Sequence, residues 1–217
     1  DTIGMAEVEY SAFLEYEAMK NKFDYMRLWG VDSKEDIAKT LAVFGAFTEG
    51  LQLFASFAVL MNFPRQNRMK GMGQIVTWSV RDETLHTESA IKLFKTFIEE
   101  NPEVWNDKVK AEITNACSTV IEHEDAFIDL AFELGGVKGM EADEVKQYIR
   151  YIADRRLSQL GLPHLYNVEK NPLPWMDEML NAVEHTNFFE GRSTEYSRAA
   201  TKGSWSETFD AAFGAEA

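Results

Sequence analysis

Glu83 and His86 stand three residues apart in the run SVRDETLHTE (79–88), among Ile75, Val76, Trp78, Val80 and Leu85, which read as a packed helix. Positions three apart on a helix lie side by side on one face, so the spacing sets a carboxylate beside an imidazole. A hard oxygen donor next to an imidazole nitrogen suits iron or manganese. No other histidine has this setting: none of His123, His164 and His185 has a glutamate three residues before it. A lone Glu-x-x-His is a common pattern, usually a solvated pair, so its weight depends on what else converges on it.

A second carboxylate sits in an unusual place. From Leu41 to Met61 the sequence runs LAVFGAFTEGLQLFASFAVLM, and Glu49 is its only charged residue. The length allows a membrane span. The central Glu49, the nearby Gln52 and the polar helices on both sides favour a central bundle helix instead. An unpaired buried carboxylate costs several kcal/mol. Glu49 therefore requires a proton or a partner: an arginine, for which Arg81 and Arg155 are candidates, or a metal ion. Carboxylate–metal bundles take a lone glutamate from each of two helices and Glu-x-x-His from each of two more. One lone glutamate and one Glu-x-x-His amount to half of that set. The expectation is that Glu49, Glu83 and His86 converge inside the bundle on cations they only partly enclose.

The elements that must position these residues read as helices throughout. A first amphipathic segment covers about 5–29. Asp32 and Ser33 ahead of Glu35 cap a second, which runs to Pro64. A third spans about 66–99, with an interruption expected near Gly71 and Gly73. Pro102 opens a fourth that stops at Gly135-Gly136, and a fifth covers 142–160. KNPLPWM (170–176) reads as a connector, and from Ser197 the composition turns to small and acidic residues, the pattern of a tail. There is no strand alternation, internal repeat or GxGxxG. The fold class is all-α.

Composition narrows the function classes. A net charge of −14 excludes a polyanion-binding surface, so neither nucleic acid nor an anionic membrane is an expected partner. Cys117 is the only cysteine, which rules out an intrachain disulfide or a multi-cysteine zinc site and, with no signal-peptide pattern, leads to the expectation of a cytoplasmic protein. The chain opens on Asp1 with a helical pattern already running, which reads as a piece whose upstream sequence lies elsewhere.

FTEGLQLFASFA (47–58), RDETLH (81–86), YIADRRLSQLG (151–161), NPLPWM (171–176) and TNFFEGRSTEY (186–196) together resemble the C-terminal part of the small, radical-generating subunit of class I ribonucleotide reductase. The resemblance implies a ferritin-like helical bundle, normally a homodimer, holding a dinuclear metal centre. Di-iron is the usual form, with mixed manganese–iron and dimanganese as alternatives. Dioxygen reacts there to leave a stable oxidant, usually a tyrosyl radical, which is passed to the large subunit for reduction of ribonucleotides to deoxyribonucleotides. By the same resemblance Glu49, Glu83 and His86 are metal ligands, and Asp82 links the centre to the radical-transfer route. Leu53 and Phe57 match the apolar shield of the radical, and Tyr196 matches the tyrosine that relays it between subunits.

The family's remaining ligands and its radical tyrosine precede the point where this chain opens, and none of the glutamates at 7, 9, 15 or 17 has a histidine spaced to replace them. The bundle is thus expected to be incomplete, with residues 1–196 as its C-terminal portion and a second polypeptide carrying the N-terminal half. Two alternatives remain open: a homodimer in which each chain gives half of the ligands, and a metal-free helical assembly module. Trp205, Phe209 and Phe213, spaced four apart within 197–217, are anchors for docking the tail on the large subunit.

Overall fold

Ser33 starts the central helix: its hydroxyl accepts the Asp36 N–H at 3.1 Å, the capping bond that leaves the next turn free to propagate. In the computed structural model, which describes residues 7–181, all regular structure is helical. The central helix runs unbroken from Lys34 to Arg65. It consists of α3 (Lys34–Ala42), a π-helical segment (Val43–Gln52) and α4 (Phe54–Arg65). Its most apolar stretch is 61% buried within the protein, as the bundle-core reading requires. Ahead of it, α1 (Glu7–Ser11), a 3-10 turn (Ala12–Glu15) and α2 (Glu17–Met26) replace the single helix expected over 5–29. The break falls at Tyr16, where the backbone is extended. Tyr10, Phe13 and Tyr16 are exposed, so packing does not hold the segment in one helix.

At the other end, Arg68 donates its N–H to the Phe63 carbonyl at 2.9 Å, while Asn67 takes the left-handed conformation at φ 62°. This closes α4, and α5 (Lys70–Glu100) returns along it. The interruption expected at Gly71–Gly73 is absent. The glycines lie inside α5 because two backbones meet there: a Cβ on Gly73 would stand 2.6 Å from Pro64 Cγ. The same holds further along. A Cβ on Gly50 would be 2.9 Å from Thr87 Cγ2, and one on Gly45 would be 2.5 Å from Ala90 Cβ. As one residue number falls the other rises, which is the register of an antiparallel pair.

Pro102 opens a 3-10 turn rather than the fourth helix itself; α6 (Asp107–Phe132) begins after Asn106, whose Oδ1 accepts the Val109 N–H at 3.0 Å. Helix α7 (Ala142–Leu160) ends at Gly161, φ 80°, and α8 (Pro174–Asn181) follows the connector. Helices α6 and α7 pack on each other and on the π-helical segment. The core between them holds Phe47, Leu51, Ile113, Ile121, Ile128, Ile149 and Leu157, all almost fully buried. Cys117 is buried among them, and burial pushes its thiol up to about 12, so it acts as a small apolar residue.

The charged ADRR stretch (153–156) has two buried members that bond to backbone. Asp154 accepts the N–H groups of Leu165, Tyr166 and Val168 at 2.8–3.0 Å, tying down the connector. Arg156 donates to the Gly50 carbonyl. Ion pairs hold EHEDAF (122–127) instead: Asp125 meets Arg150 through both oxygens, and the fully buried Glu124 lies 2.5 Å from Lys22 Nζ. The boundary expected at 196/197 lies outside the described residues.

Gly45→Ala should destabilise the fold by about 1–3 kcal/mol through overpacking against Ala90. Combining it with Ala90→Gly should cost less than the sum of the two single variants, because they relieve one contact; denaturant midpoints check both. Glu124 offers a pH signature. Burial raises its carboxyl from 4.5 to about 7, against the pull of Lys22. The folded state then binds the extra proton between those values, so this group's contribution to stability falls as pH rises through the window. Glu124→Gln should flatten that decline in midpoints measured from pH 4 to 8.

Candidate metal centre

Glu49 projects from the π-helical segment, and Glu83 and His86 project from α5. The antiparallel register brings them together: one ligand atom of each lies within 4.8 Å of the other two. The glycine contacts account for this closeness. Gly50, next to Glu49, lets the central helix settle on Thr87, the neighbour of His86. A π-helical turn is a rare feature concentrated at functional sites. Here it carries the one charged residue of the apolar run.

The imidazole lies between two acids of its own helix. His86 Nδ1 is 3.4 Å from Glu83 Oε2, and its Nε2 is 3.8 Å from Asp82 Oδ1. One ring nitrogen can thus serve a cation while a carboxylate orients the other, the usual arrangement around a ligating histidine. Among the described residues no lysine or arginine pairs with Glu49 or Glu83. The buried guanidinium of Arg156 bonds the backbone of Gly50, the residue after Glu49, rather than a carboxylate. The arginine alternative for Glu49 is therefore not what these residues adopt.

The centre differs from expectation in its openness. Glu49 and Glu83 are half-buried, but the His86 side chain is 48% exposed and Glu83 24%. Two helices supply these ligands, and the far side of the imidazole meets solvent among the described residues. Two carboxylates and one imidazole converging without a competing cation fit a divalent metal.

Phe57 is buried, Leu53 half-buried, and Phe57 packs edge-on to Phe54 with centroids 5.8 Å apart. Both are core residues on the helix that carries Glu49. Asp82 is exposed beside His86. Tyr196 and the tail anchors Trp205, Phe209 and Phe213 lie outside the described residues. Sequence reasoning missed the π-helical turn and the part played by Arg156. The signal for the first was a pair of glycines, Gly45 and Gly50, flanking the lone charge of an apolar helix.

A family model described as ribonucleotide reductase, small chain, matches residues 1–172. A probable ribonucleoside-diphosphate reductase small subunit of Invertebrate iridescent virus 3 is 44% identical over 223 residues, covering 94% of this chain and 59% of that protein. Its counterpart in Invertebrate iridescent virus 6 is 42% identical over 248 residues, covering 97% and 69%. The chain thus spans about three fifths of the first of these relatives. Among solved structures, the ribonucleotide reductase R2 subunit from Clostridium botulinum superposes with a TM-score of 0.72 at 20% identity, over 79% of this chain and 55% of that one; this likeness concerns the fold.

The like charges at the centre make a prediction of their own. In the presence of a chelator, Glu49→Gln should stabilise the chain by about 1 kcal/mol, the scale of two partly solvated charges a few ångströms apart. Cobalt(II) should then raise the melting temperature of the unaltered chain more than that of the variant.

Proposed function

The chain belongs to the ribonucleotide reductase small-chain family, and we propose that it contributes half of a dinuclear metal site whose radical product serves reduction of ribonucleotides to deoxyribonucleotides. The observation that carries this reading is the convergence of Glu49 from the central helix with Glu83 and His86 from α5. These three hold metal. The rest of a dinuclear set, a further carboxylate and another Glu-x-x-His, lies outside these three residues. When bound, the metal pair, di-iron or a manganese-containing equivalent, would supply the electrons that activate dioxygen, the oxidant from which the radical derives.

The chain's own residues do the rest. Asp82, beside the imidazole, orients His86 and links the centre to the transfer route. Leu53 and Phe57 keep water from the radical site. Tyr196 relays the radical, and the segment 197–217 docks on the large subunit through Trp205, Phe209 and Phe213. The completed small subunit pairs as a dimer and works in the cytoplasm.

A second reading has one observation in its favour. Leu85 and Leu93 are 61% and 56% exposed on the same helix as His86, so two copies of this chain meeting there would each supply half of the ligands. Co-expression with the upstream half of a small subunit separates the readings. The proposal expects roughly two metal ions per completed subunit, a radical signal by electron paramagnetic resonance, and turnover of ribonucleoside diphosphates when the large subunit is added. A full complement of metal in a homodimer of these residues alone would overturn the first reading in favour of the second. A metal-free, radical-free complex would overturn the metal reading and leave a helical assembly module.

A further inference from the structure

Arg156 is 5% exposed, yet no carboxylate pairs with its guanidinium among the described residues. Burial and the neighbouring Arg155 charge push its pKa down to about 10. A buried cation without a counter-ion is costly, so its placement calls for a reason. Its Nε donates to the Gly50 carbonyl at 2.8 Å, one residue from Glu49, and its Nη1 donates to Gln159 Oε1 at 2.9 Å. The guanidinium also lies over the Phe54 ring, 5.6 Å from the centroid. Gly50 admits this contact, since a Cβ there would stand 2.7 Å from Nε.

Lys22 reaches the same turn from α2. Its Nζ donates to the Gln52 carbonyl at 3.4 Å while held by Glu124 at 2.5 Å, and it sits 4.7 Å from the Phe127 ring centroid. Both carbonyls belong to the last turn of the π-helical segment. Where i→i−5 bonding gives way to i→i−4 bonding, the ladder skips a carbonyl, and a buried carbonyl requires a donor from elsewhere. The two cations arrive from different helices at the residues one and three positions after Glu49.

We propose that Arg156 and Lys22 are positioning residues: by donating to the Gly50 and Gln52 carbonyls they hold the π-helical turn that directs Glu49 toward Glu83 and His86. The link to metal rests on the reading of those three residues as ligands; the link to the turn does not. If the clamp relaxed, the segment would revert toward α-helical bonding and rotate Glu49 away from α5.

Amide hydrogen exchange followed by mass spectrometry tests the clamp on the full chain without metal. In Arg156→Met, which keeps length and removes the donor, amides of residues 46–56 should exchange at least about tenfold faster, while those of α6 stay unchanged. Arg156→Lys, which restores a donor, should recover most of the protection. Equal exchange in Arg156→Met and the unaltered chain, or acceleration spread evenly over every helix, would overturn the proposal. Should Arg156→Met fail to fold, Lys22→Met combined with Glu124→Gln removes the other donor without stranding a charge, and the same two outcomes apply. Cobalt(II) titration of the complete assembly supplies the second readout. Affinity should fall at least about tenfold in the donor-less variant and return with Arg156→Lys. Faster exchange with unchanged affinity would overturn the positioning of Glu49. Absence of cobalt binding by the unaltered assembly would instead overturn the metal reading and leave the exchange result standing.

Discussion

The close approach of two helix backbones determines the rest of this molecule. Gly45 against Ala90 and Gly50 against Thr87 bring the central helix nearer to α5 than ordinary side chains allow, and the three ligand atoms meet within 4.8 Å as a consequence. In the absence of a cation the meeting is unfavourable, since two carboxylates face a single imidazole. Packing has to offset it. Phe47, Leu51, Ile91 and Phe94 lie on the two helices, all at most 5% exposed, and each such side chain contributes roughly 1.5–3 kcal/mol on burial. The repulsion between two partly solvated carboxylates, on the order of 1 kcal/mol, is smaller than any one of these contributions.

Legibility in the sequence tracks how local the governing interaction is. The start of the central helix was readable because Ser33 bonds its own third neighbour, and the end of α7 because Gly161 adopts a conformation few other residues tolerate. Glu49, Glu83 and His86 were readable because helical spacing and the lone charge of an apolar run are sequence properties. What failed depended on partners distant in sequence. Gly73 looks like a helix breaker until Pro64 is seen against it. The π-helical turn left little periodic trace, because a helix that is apolar on nearly every side has no polar face to betray a change in pitch.

The two arginines of ADRR show that some missed information was present after all. Ile149, Ile152, Ala153, Leu157 and Leu160 are buried along α7, and Arg156 falls on that stripe whereas Arg155 falls outside it and is exposed. Helical phase alone therefore marks Arg156 as the inward residue. It does not reveal the partner. A buried guanidinium suggests a carboxylate, and the structure supplies a backbone carbonyl at Gly50 instead, a choice made intelligible only by the π-helical turn.

The openness of the centre follows from the same arrangement. Glu49, Glu83 and His86 come from two neighbouring helices, and the imidazole of His86 keeps 48% of its surface. Water then screens the carboxylates and lowers the cost of leaving them without a cation. Covering that face with further helices would remove the screening, so that each carboxylate gains more from a metal and loses more without one. A site shared between separate elements is thus tolerable while open and avid once closed. On the proposed function, cover and metal loading would reinforce each other, because desolvating Glu49 and Glu83 raises what each gains from a cation.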